Sequence, residues 1–381
     1  MLSDYISHQG SQIHMQYQNV CLESIGYVVP DEIVSSADIE SRLAPLYERL
    51  RLPEGRLELM TGISERRFWA PDTMPSQMSI ESGRRALAAA DFPAERLGSL
   101  LHCSVCRDFL EPATASGVHH SLGLPPECVV YDVSNACLGL LNGVLQVANM
   151  IELGQIEAGL IVGTEGSRQL VENTIDQLNS DQTLTRNAIK SAVASLTIGS
   201  GSAAILLTHQ RISKTKNKIV GAALRADTQH HELCQSGRDE TVGGGMQPLM
   251  NTDSEQLMRQ GIASGVATFR EFLFETGWTH DDIDRSVCHQ VGATHRKLML
   301  ESMGLDESND FATFRWLGNT GSVALPITLA NAAAEGFIAE GQNVGLFGIG
   351  SGINCLMMGV QWQKTQVLGG EVERELQKTT A

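Results

Sequence analysis

The chain has 381 residues, a formal net charge of −16, and a composition that is 42% hydrophobic but only 5% aromatic. A core built mainly from Ala, Val, Leu and Ile is typical of buried sheets covered by helices, so the composition indicates an α/β protein. The acidic charge and the absence of any Lys/Arg-rich run argue against nucleic acid as a partner.

The sequence contains neither an apolar h-region in its first 19 residues nor a run of about 18 apolar residues. We therefore expect no signal peptide and no membrane span. Eight cysteines are too few for a disulfide scaffold in a chain of this length. Cys103, Cys288 and Cys355 lie within apolar runs, where reduced buried thiols are usual, so we expect a cytoplasmic protein.

Predicted strands and helices alternate along the chain between a polar segment at 1–19 and a polar tail at 364–381. In the first half, strands are expected at 20–29, 100–105, 129–133, 158–162 and 203–207, and helices at 79–90 and 138–153. In the second half, the alternation continues through 266–274, 287–289, 295–303, 322–338 and 344–347. The pattern predicts βαβ units. Two polar stretches, 168–196 and 227–251, fit neither periodicity, and we expect such insertions to cover a site.

One turn motif occurs twice. Ile-Gly-Ser-Gly stands at 198–201 and again at 349–352, which is 151 residues later. Upstream of each copy, a strand-like run ends at a reactive residue, Cys137 in one case and His289 in the other, 152 residues apart. The matching separations predict a duplicated α/β unit, with halves at 20–210 and 211–363, whose equivalent loops meet at one site.

Cys137 is the first candidate for a catalytic residue. It follows the predicted buried strand 129–133 and precedes the helix 138–153, whose apolar residues cover both faces. Free N–H groups and the positive end of the helix dipole would favour the thiolate, the nucleophilic form. The alternative is a small core residue, which is the commonest role of a free cysteine.

His289 and Asn319 are weaker candidates when each is taken alone. His289 ends a predicted strand, where a histidine is more often a hydrogen-bonded structural residue than a catalyst. Asn319 lies in Leu317-Gly318-Asn319-Thr320-Gly321, and an asparagine between glycines is usually only a turn former. A thiol and an imidazole at equivalent positions of two halves nevertheless form a nucleophile and its proton partner.

Four short motifs occur in order: Ser134-Asn135-Ala136-Cys137-Leu138-Gly139, His289-Gln290, Gly318-Asn319-Thr320 and Gly348-Ile349-Gly350-Ser351-Gly352. As a set they resemble the thiolase superfamily, in its ketoacyl-ACP synthase III branch. The resemblance covers about 20–362 and implies a thiolase fold, a five-layered αβαβα sandwich of duplicated halves, in a homodimer. It also implies that Cys137 is the acylated nucleophile and that His289 and Asn319 donate to the thioester oxygen of the second substrate.

Within that branch, several segments are similar to the OleA-type enzymes, which join two acyl-CoAs head to head in olefin biosynthesis. These segments are 61–67, 104–112, 131–138 and 346–355. In those enzymes the residue matching Glu111 enters the partner subunit's site as the base that removes an α-proton. From local sequence alone, Glu111 before Pro112 is a helix-start carboxylate. Two motifs depart from synthase III usage, His289-Gln290-Val291-Gly292 in place of His-Gln-Ala-Asn and Gly199-Ser200-Gly201 in place of Gly-Asp-Gly.

The chemistry of acyl transfer suggests further site residues. The tetrahedral oxyanion needs convergent N–H donors, which the backbone amides of Cys137 and Ser351 are placed to provide. The enolate of the second substrate needs donors, for which a protonated His289 and the Asn319 amide are suited. Arg66, Arg67 and Trp69 are candidates to contact the CoA diphosphate and adenine, or equally a solvated face with one core aromatic.

The main hypothesis is a condensing acyltransferase that joins two acyl-CoAs to a β-keto product, with no cofactor beyond the CoA thioester. A synthase III that condenses acyl-CoA with malonyl-ACP, and hence has acyl carrier protein as a partner, is the alternative enzyme. A thioester hydrolase or a non-catalytic acyl-binding homologue is the alternative from another class. The pairs Cys103/Cys106 and His230-His231/Cys234 lack further ligands at metal-binding spacing, and we expect no metal site.

Overall fold

The computed structural model describes residues 14–186, 189–237 and 250–370. Its fifteen strands in the described residues are β1 (Val20–Val28), β2 (Glu32–Ser35), β3 (Glu65–Phe68), β4 (Ser99–Cys103), β5 (Val129–Val133), β6 (Ala158–Glu165), β7 (Gly201–His209), β8 (Asn217–Ala226), β9 (Cys234–Ser236), β10 (Met250–Thr252), β11 (Arg285–Cys288), β12 (Asp310–Phe311), β13 (Asn343–Gly350), β14 (Asn354–Gln361) and β15 (Val367–Gly369).

The α-helices of the same residues are α1 (Ser36–Arg42), α2 (Ala44–Leu50), α3 (Arg56–Thr61), α4 (Pro75–Ala90), α5 (Thr114–Leu122), α6 (Gly139–Glu152), α7 (Arg168–Ser180), α8 (Lys190–Val193), α9 (Ser254–Thr276), α10 (Ala293–Met303), α11 (Phe314–Leu317) and α12 (Ala324–Ala334). None of the described helices is long and apolar enough to cross a membrane.

The strand order confirms the predicted duplication. One half runs β5-β4-β6-β7-β1 and the other β12-β11-β13-β14-β8, and the two meet where β1 pairs briefly with β8. In each half, the first three strands are parallel and the last two join antiparallel. The carboxyl ends of parallel strands lie at one edge of a sheet, which is where α/β proteins place their reactive loops.

Helices pack between and outside the two halves, as the layers of a thiolase fold require. Helices α6 and α12 contribute to a central core with strands from both halves. Helices α4 and α5 cover the outer face of the first half, and α9 and α10 cover that of the second. Both central helices are apolar around much of their circumference because they are covered on more than one side.

Three regions differ from their predicted organisation. The stretch 168–196, which shows no clear periodicity across its full length, contains α7, whose Val171, Ile175 and Leu178 pack into a separate helical cluster. In the predicted tails, Gln16 bridges to β8, and β15 pairs with β1, so residues from both tails are attached to the centre of the sheet. The Gly243–Gly245 part of the predicted cover lies outside the described residues.

Candidate active site

Cys137 lies in the tight turn between β5 and α6. The preceding Ala136 has a φ of 45°, a left-handed conformation that L-residues rarely adopt, and this reverses the chain between strand and helix. On the other side of the thiol is Gly350, where an added Cβ would lie 3.5 Å from both Cβ and N of Cys137. The second glycine turn therefore abuts the nucleophile of the first half, as the duplication predicts.

The surroundings of the Cys137 thiol favour its protonated form. Burial, followed by the charges of Glu165 and Cys234, raises its pKa to about 12, and only its own backbone N–H lowers it. Burial thus opposes the resting thiolate that the position before a helix N-terminus was expected to favour. The N–H groups remain available to stabilise charge that develops during attack.

His289 follows β11 and is buried, and its backbone N–H donates to Phe347 O of β13 at 3.0 Å. Burial, with a contribution from His295, lowers the pKa of its imidazole to about 3. The expectation of a protonated His289 is wrong, since at neutral pH the ring is uncharged and donates from one nitrogen only. Three residues on, Gly292 has a φ of 155° and an added Cβ would lie 2.8 Å from Thr61 O, which explains why asparagine is absent there.

Asn319 is held by the first glycine turn. Its N–H donates to Thr197 O and its carbonyl accepts from Gly199 N, each at 2.9 Å. Its Oδ1 accepts from Gly321 N at 3.0 Å, which leaves the amide NH₂ group to offer to a substrate oxygen. An added Cβ at Gly199 would lie 2.0 Å from Leu317 O, so the close approach requires glycine.

Asparagine side chains tie the Cys137 turn to the Ser351 turn. Asn354 Nδ2 donates to Asn135 Oδ1 at 3.3 Å and to Ser351 O at 3.2 Å. Asn135 in turn donates to Asn142 Oδ1 at 2.8 Å. This chain of amides holds together the two backbone segments whose N–H groups are the predicted oxyanion donors.

Glu111 is exposed in a segment rich in exposed apolar residues, between Leu110 and Pro112. Its reading as a helix-start carboxylate is wrong, because α5 begins only at Thr114. The N-terminal amides of that helix, Thr114 N and Ala115 N, both donate to the carboxylate of Asp132 at 2.8 Å. Asp132, and not Glu111, therefore accepts hydrogen bonds from the N-terminus of this helix.

The three residues suggested for CoA binding lie in or just after β3. Arg66 is fully buried and donates to Val34 O and Ser36 Oγ, which contradicts its proposed contact with a diphosphate. Arg67 is also buried, and its carbonyl accepts from Ser200 N of the first glycine turn. Trp69 is half-buried, and its Nε1 donates to Glu165 O at 2.9 Å.

Glu165, a buried carboxylate at the end of β6 whose charge acts on Cys137, was not predicted from the sequence. The signal was present, since Glu165 ends an apolar strand as Cys137 and His289 do. Cys106 lies beyond β4, and its thiol donates to Gly166 O at 3.6 Å. In the described residues, no group of three or more His, Cys, Asp or Glu side chains is arranged to hold a metal ion.

Shared neighbours bring these residues to one edge of the two sheets. Cys137 abuts Gly350 at the end of β13, and His289 donates to the same strand. Beside the Asn319 turn, an added Cβ on Gly321 would lie 3.1 Å from the Glu165 side chain, whose charge acts on Cys137. The turns that carry Cys137, His289 and Asn319 thus share neighbours at this edge, and Glu111 lies on the exposed segment that follows β4.

Family comparisons agree with this architecture. Residues 58–195 match the thiolase N-terminal domain, and residues 273–362 match the C-terminal domain of 3-oxoacyl-[acyl-carrier-protein] synthase III. An acyl-CoA:acyl-CoA alkyltransferase of Shewanella oneidensis is 40% identical over 351 residues, which span 91% of this chain and 100% of that protein. A Xanthomonas campestris protein of the same name is 32% identical over 348 residues, spanning 91% of this chain and 100% of the relative.

Solved structures of Xanthomonas campestris OleA share the fold. A cysteine-to-serine variant with bound lauric acid and lauroyl-CoA is 32% identical, with a TM-score of 0.85 over 91% of this chain and 100% of that one. A glutamate-to-glutamine variant gives a TM-score of 0.86 over 92% of this chain and 98% of that one, also at 32% identity. With its duplicated sheets and its Cys137, His289 and Asn319 loops, the chain belongs to the OleA family of thiolase-fold acyltransferases, the acyl-CoA:acyl-CoA alkyltransferases.

Proposed function

We propose that this protein condenses two acyl-CoAs into a β-ketoacyl product through an acyl-Cys137 intermediate. The observation that carries the proposal is the position of Cys137, at the N-terminus of a central helix and against the second glycine turn, in a chain of the OleA family. The relatives of this chain are named for the same reaction class, and lauroyl-CoA is bound in a structure of one of them.

In the first half-reaction, the Cys137 sulfur attacks the thioester carbonyl of one acyl-CoA. The new S–C bond replaces the bond to CoA, and the thiol proton leaves with the CoA sulfur. Since the resting thiol is protonated, charge develops mainly in the tetrahedral state, where the backbone amides of Cys137 and Ser351 stabilise the oxyanion. Neutral His289 is suited to pass the proton, because an imidazole can accept at one nitrogen while donating at the other.

In the second half-reaction, a base removes an α-proton from the second acyl-CoA, and the resulting enolate attacks acyl-Cys137. A C–C bond forms, the C–S bond to Cys137 breaks, and the proton returns to the sulfur. The Asn319 amide and the N–H of His289 donate to the enolate oxygen. Two simple acyl thioesters cannot generate an enolate by decarboxylation, so the reaction requires a base, and Glu111 is the carboxylate we assign.

We propose a homodimer formed through the exposed edge of the first half. Strand β5 is the last strand of its sheet, and its Val129, Val130 and Tyr131 are each more than a third exposed. In the segment that follows the neighbouring strand β4, Phe109 is 59% exposed and Leu110 is 50% exposed. An apolar edge strand next to exposed apolar side chains is a surface that a second copy would cover.

The same contact supports a role for Glu111 across the dimer. Cys137 follows directly on β5, so the nucleophile lies at the end of the proposed interface strand. Glu111 directly follows Phe109-Leu110 and is exposed in the single chain, with no helix terminus to satisfy. An approaching partner would bring its own 109–111 segment toward this end of β5.

The substrate pair is tested with purified protein and either two acyl-CoAs or an acyl-CoA with malonyl-ACP, followed by mass analysis of products. We expect a β-keto product from acyl-CoAs alone. Glu111→Gln keeps the size of the side chain but removes its basicity, so it should permit acylation of Cys137 and abolish this condensation. Glu95→Gln, at an exposed glutamate of the Ala94–Arg96 turn, is the control. Product only with malonyl-ACP would overturn the proposal.

Mixed dimers test whether Glu111 acts on the partner's thiol. A Cys137→Ala subunit retains Glu111, and a Glu111→Gln subunit retains Cys137. If the carboxylate acts across the interface, the mixed dimer has one complete site and up to half of the wild-type activity. If it acts within its own subunit, the mixed dimer has none.

The proposed chemistry needs only CoA thioesters and the side chains named above, so we propose no further cofactor. All eight cysteines are free thiols. A reducing cytoplasm is the compartment that suits a cysteine nucleophile surrounded by unpaired thiols.

A further inference from the structure

A second carboxylate, that of Glu165, is buried near the site and is bound by uncharged donors. Glu165 is 6% exposed at the end of β6, and its side chain accepts four hydrogen bonds from uncharged donors. Val105 N and Ser322 Oγ donate to Oε1 at 3.0 and 2.5 Å, with Ser322 N at 3.4 Å, and Cys106 N donates to Oε2 at 3.3 Å. A buried carboxylate is tolerated when its lone pairs are satisfied in this way.

The donors come from two segments that carry other site residues. Val105 and Cys106 follow β4 and lead directly into the segment that ends at Glu111. Ser322 lies three residues after Asn319, where α12 is about to begin. One carboxylate of the first half therefore connects the Glu111 segment to a turn of the second half.

Glu165 and Glu111 differ in whether their carboxylates are available to a substrate. The oxygens of Glu165 already accept four donors inside the protein, so it is poorly placed to take a proton from a substrate. Glu111 is exposed. A carboxylate also binds these donors in a way that an amide cannot, since the NH₂ group of glutamine would face an N–H or O–H donor on one of its two sides.

We infer that Glu165 is a positioning residue of the condensation step: its carboxylate fixes the Val105-Cys106 backbone and Ser322 relative to each other, and so fixes the position of the Glu111 segment relative to the Asn319 turn. The inference rests on the proposed function of Glu111 and Asn319. It predicts that loss of the carboxylate impairs condensation more than acylation, because Cys137 is held separately by β5, α6 and Gly350.

The charge of Glu165 provides an independent readout at the nucleophile. It is among the causes that raise the pKa of the Cys137 thiol. Removal of this charge should speed alkylation of Cys137 at a fixed pH, and should do so more for anionic iodoacetate than for neutral iodoacetamide. A merely loosened structure would admit both reagents alike, so the ratio of the two rates reports the charge.

The experiment compares Glu165→Gln with Glu23→Gln in the full chain. Glu23 is a matched control, since it is also buried and accepts from Thr208 Oγ1, Ser213 Oγ and Lys214 N at the opposite end of the strands. For Glu165→Gln we expect condensation to fall about tenfold to a hundredfold while acylation changes by less than about threefold. The iodoacetate to iodoacetamide rate ratio should rise about threefold. Glu23→Gln should match the wild type in condensation rate, in acylation rate and in the alkylation rate ratio.

Ser322→Ala keeps the charge but removes the shortest hydrogen bond to it, and it decides the question if Glu165→Gln does not fold. We expect it to slow condensation about tenfold without changing the alkylation ratio. Wild-type condensation in a folded Glu165→Gln, or in Ser322→Ala, would overturn the inference while leaving the proposed function intact. Failure of the wild type and Glu23→Gln to acylate and condense would instead overturn the proposed function, and this inference with it.

Discussion

The two Ile-Gly-Ser-Gly turns have the same sequence but hold the site in different ways. In the turn at 198–201, Gly199 N donates to the carbonyl of Asn319 of the other half, and Thr197 O, just before the turn, accepts from the Asn319 N–H. Gly199 also approaches Leu317 O so closely that no side chain fits. The turn at 349–352 lies against Cys137 of the other half, where an added Cβ on Gly350 would meet Leu138 Cγ at 3.3 Å.

This difference shows how a duplication gives two functions to one motif. Each turn receives the reactive residue of the opposite half, so neither half has a complete site. The first turn fixes a donor through its backbone, whereas the second is placed beside the thiol, where its Ser351 amide can meet an oxyanion. We therefore expect damage at the first turn to impair condensation and damage at the second to impair acylation.

The largest expected effect is the loss of the thiol at the second turn. Cys137→Ala should abolish covalent acylation, since it removes only the sulfur and leaves the turn with Gly350 in place. Mass spectrometry after incubation with an acyl-CoA measures the adduct. Cys128→Ala, which removes a buried thiol just before β5, should be acylated normally. An acyl adduct of normal yield on Cys137→Ala would refute the assignment.

Loss of the donors should separate the half-reactions. Asn319→Ala or His289→Ala should leave acyl-Cys137 formation within a few-fold of the wild type but slow condensation about a hundredfold or more, because each removes a preorganised donor to the enolate. Single-turnover acylation and product formation are measured on the same samples. Equal loss in both reactions would mean that these residues serve the thiol or the fold.

Alanine at the two glycines tests the comparison directly. Gly199→Ala forces a Cβ against a backbone carbonyl and should lower the free energy of unfolding by about 1–3 kcal/mol, with slower condensation as Asn319 shifts. Gly350→Ala makes only tight contacts, so it should lower stability by less than about 1 kcal/mol and slow acylation. Urea unfolding measures the stability of each variant, and the acylation and condensation assays measure the two half-reactions. Slower acylation in Gly199→Ala together with slower condensation in Gly350→Ala would contradict the assigned roles of the turns.

The last expected effect concerns acid stability and not the rate of either half-reaction. His289 has its pKa lowered to about 3 in the folded protein, so the unfolded chain binds the extra proton as pH falls below about 6.5. The stability it contributes is present above that pH and is lost toward pH 3, by about 2 kcal/mol between pH 7 and pH 5. His289→Gln should flatten the pH dependence of urea unfolding by that amount, whereas Asn319→Ala should not. Parallel curves for wild type and His289→Gln would disprove the shift.

Much of the architecture was readable from sequence because repeated patterns survive in it. The equal spacing of the glycine turns predicted two halves, and the strand-breaking Cys137 and His289 predicted which loops meet. The periodicity of α7 was also present at Val171, Ile175 and Leu178, but it was hidden within a longer polar stretch. Glu111 could be assigned a chemical role only by resemblance, because its local sequence suggests a helix start that Asp132 in fact supplies.

The sequence by itself determined the α/β class, the duplication and the identity of the thiol, imidazole and amide, because these depend on periodicity, spacing and residue type. Only the tertiary structure decided their charge states and the hydrogen bonds that hold the site in place. Whether Cys137 and His289 are ionised depends on the protein packed around them, and burial makes both neutral. The hydrogen bonds of Glu165 to Val105, Cys106 and Ser322 join residues up to 157 positions away from it. No local pattern encodes such contacts, since they join residues that only the folded chain brings together.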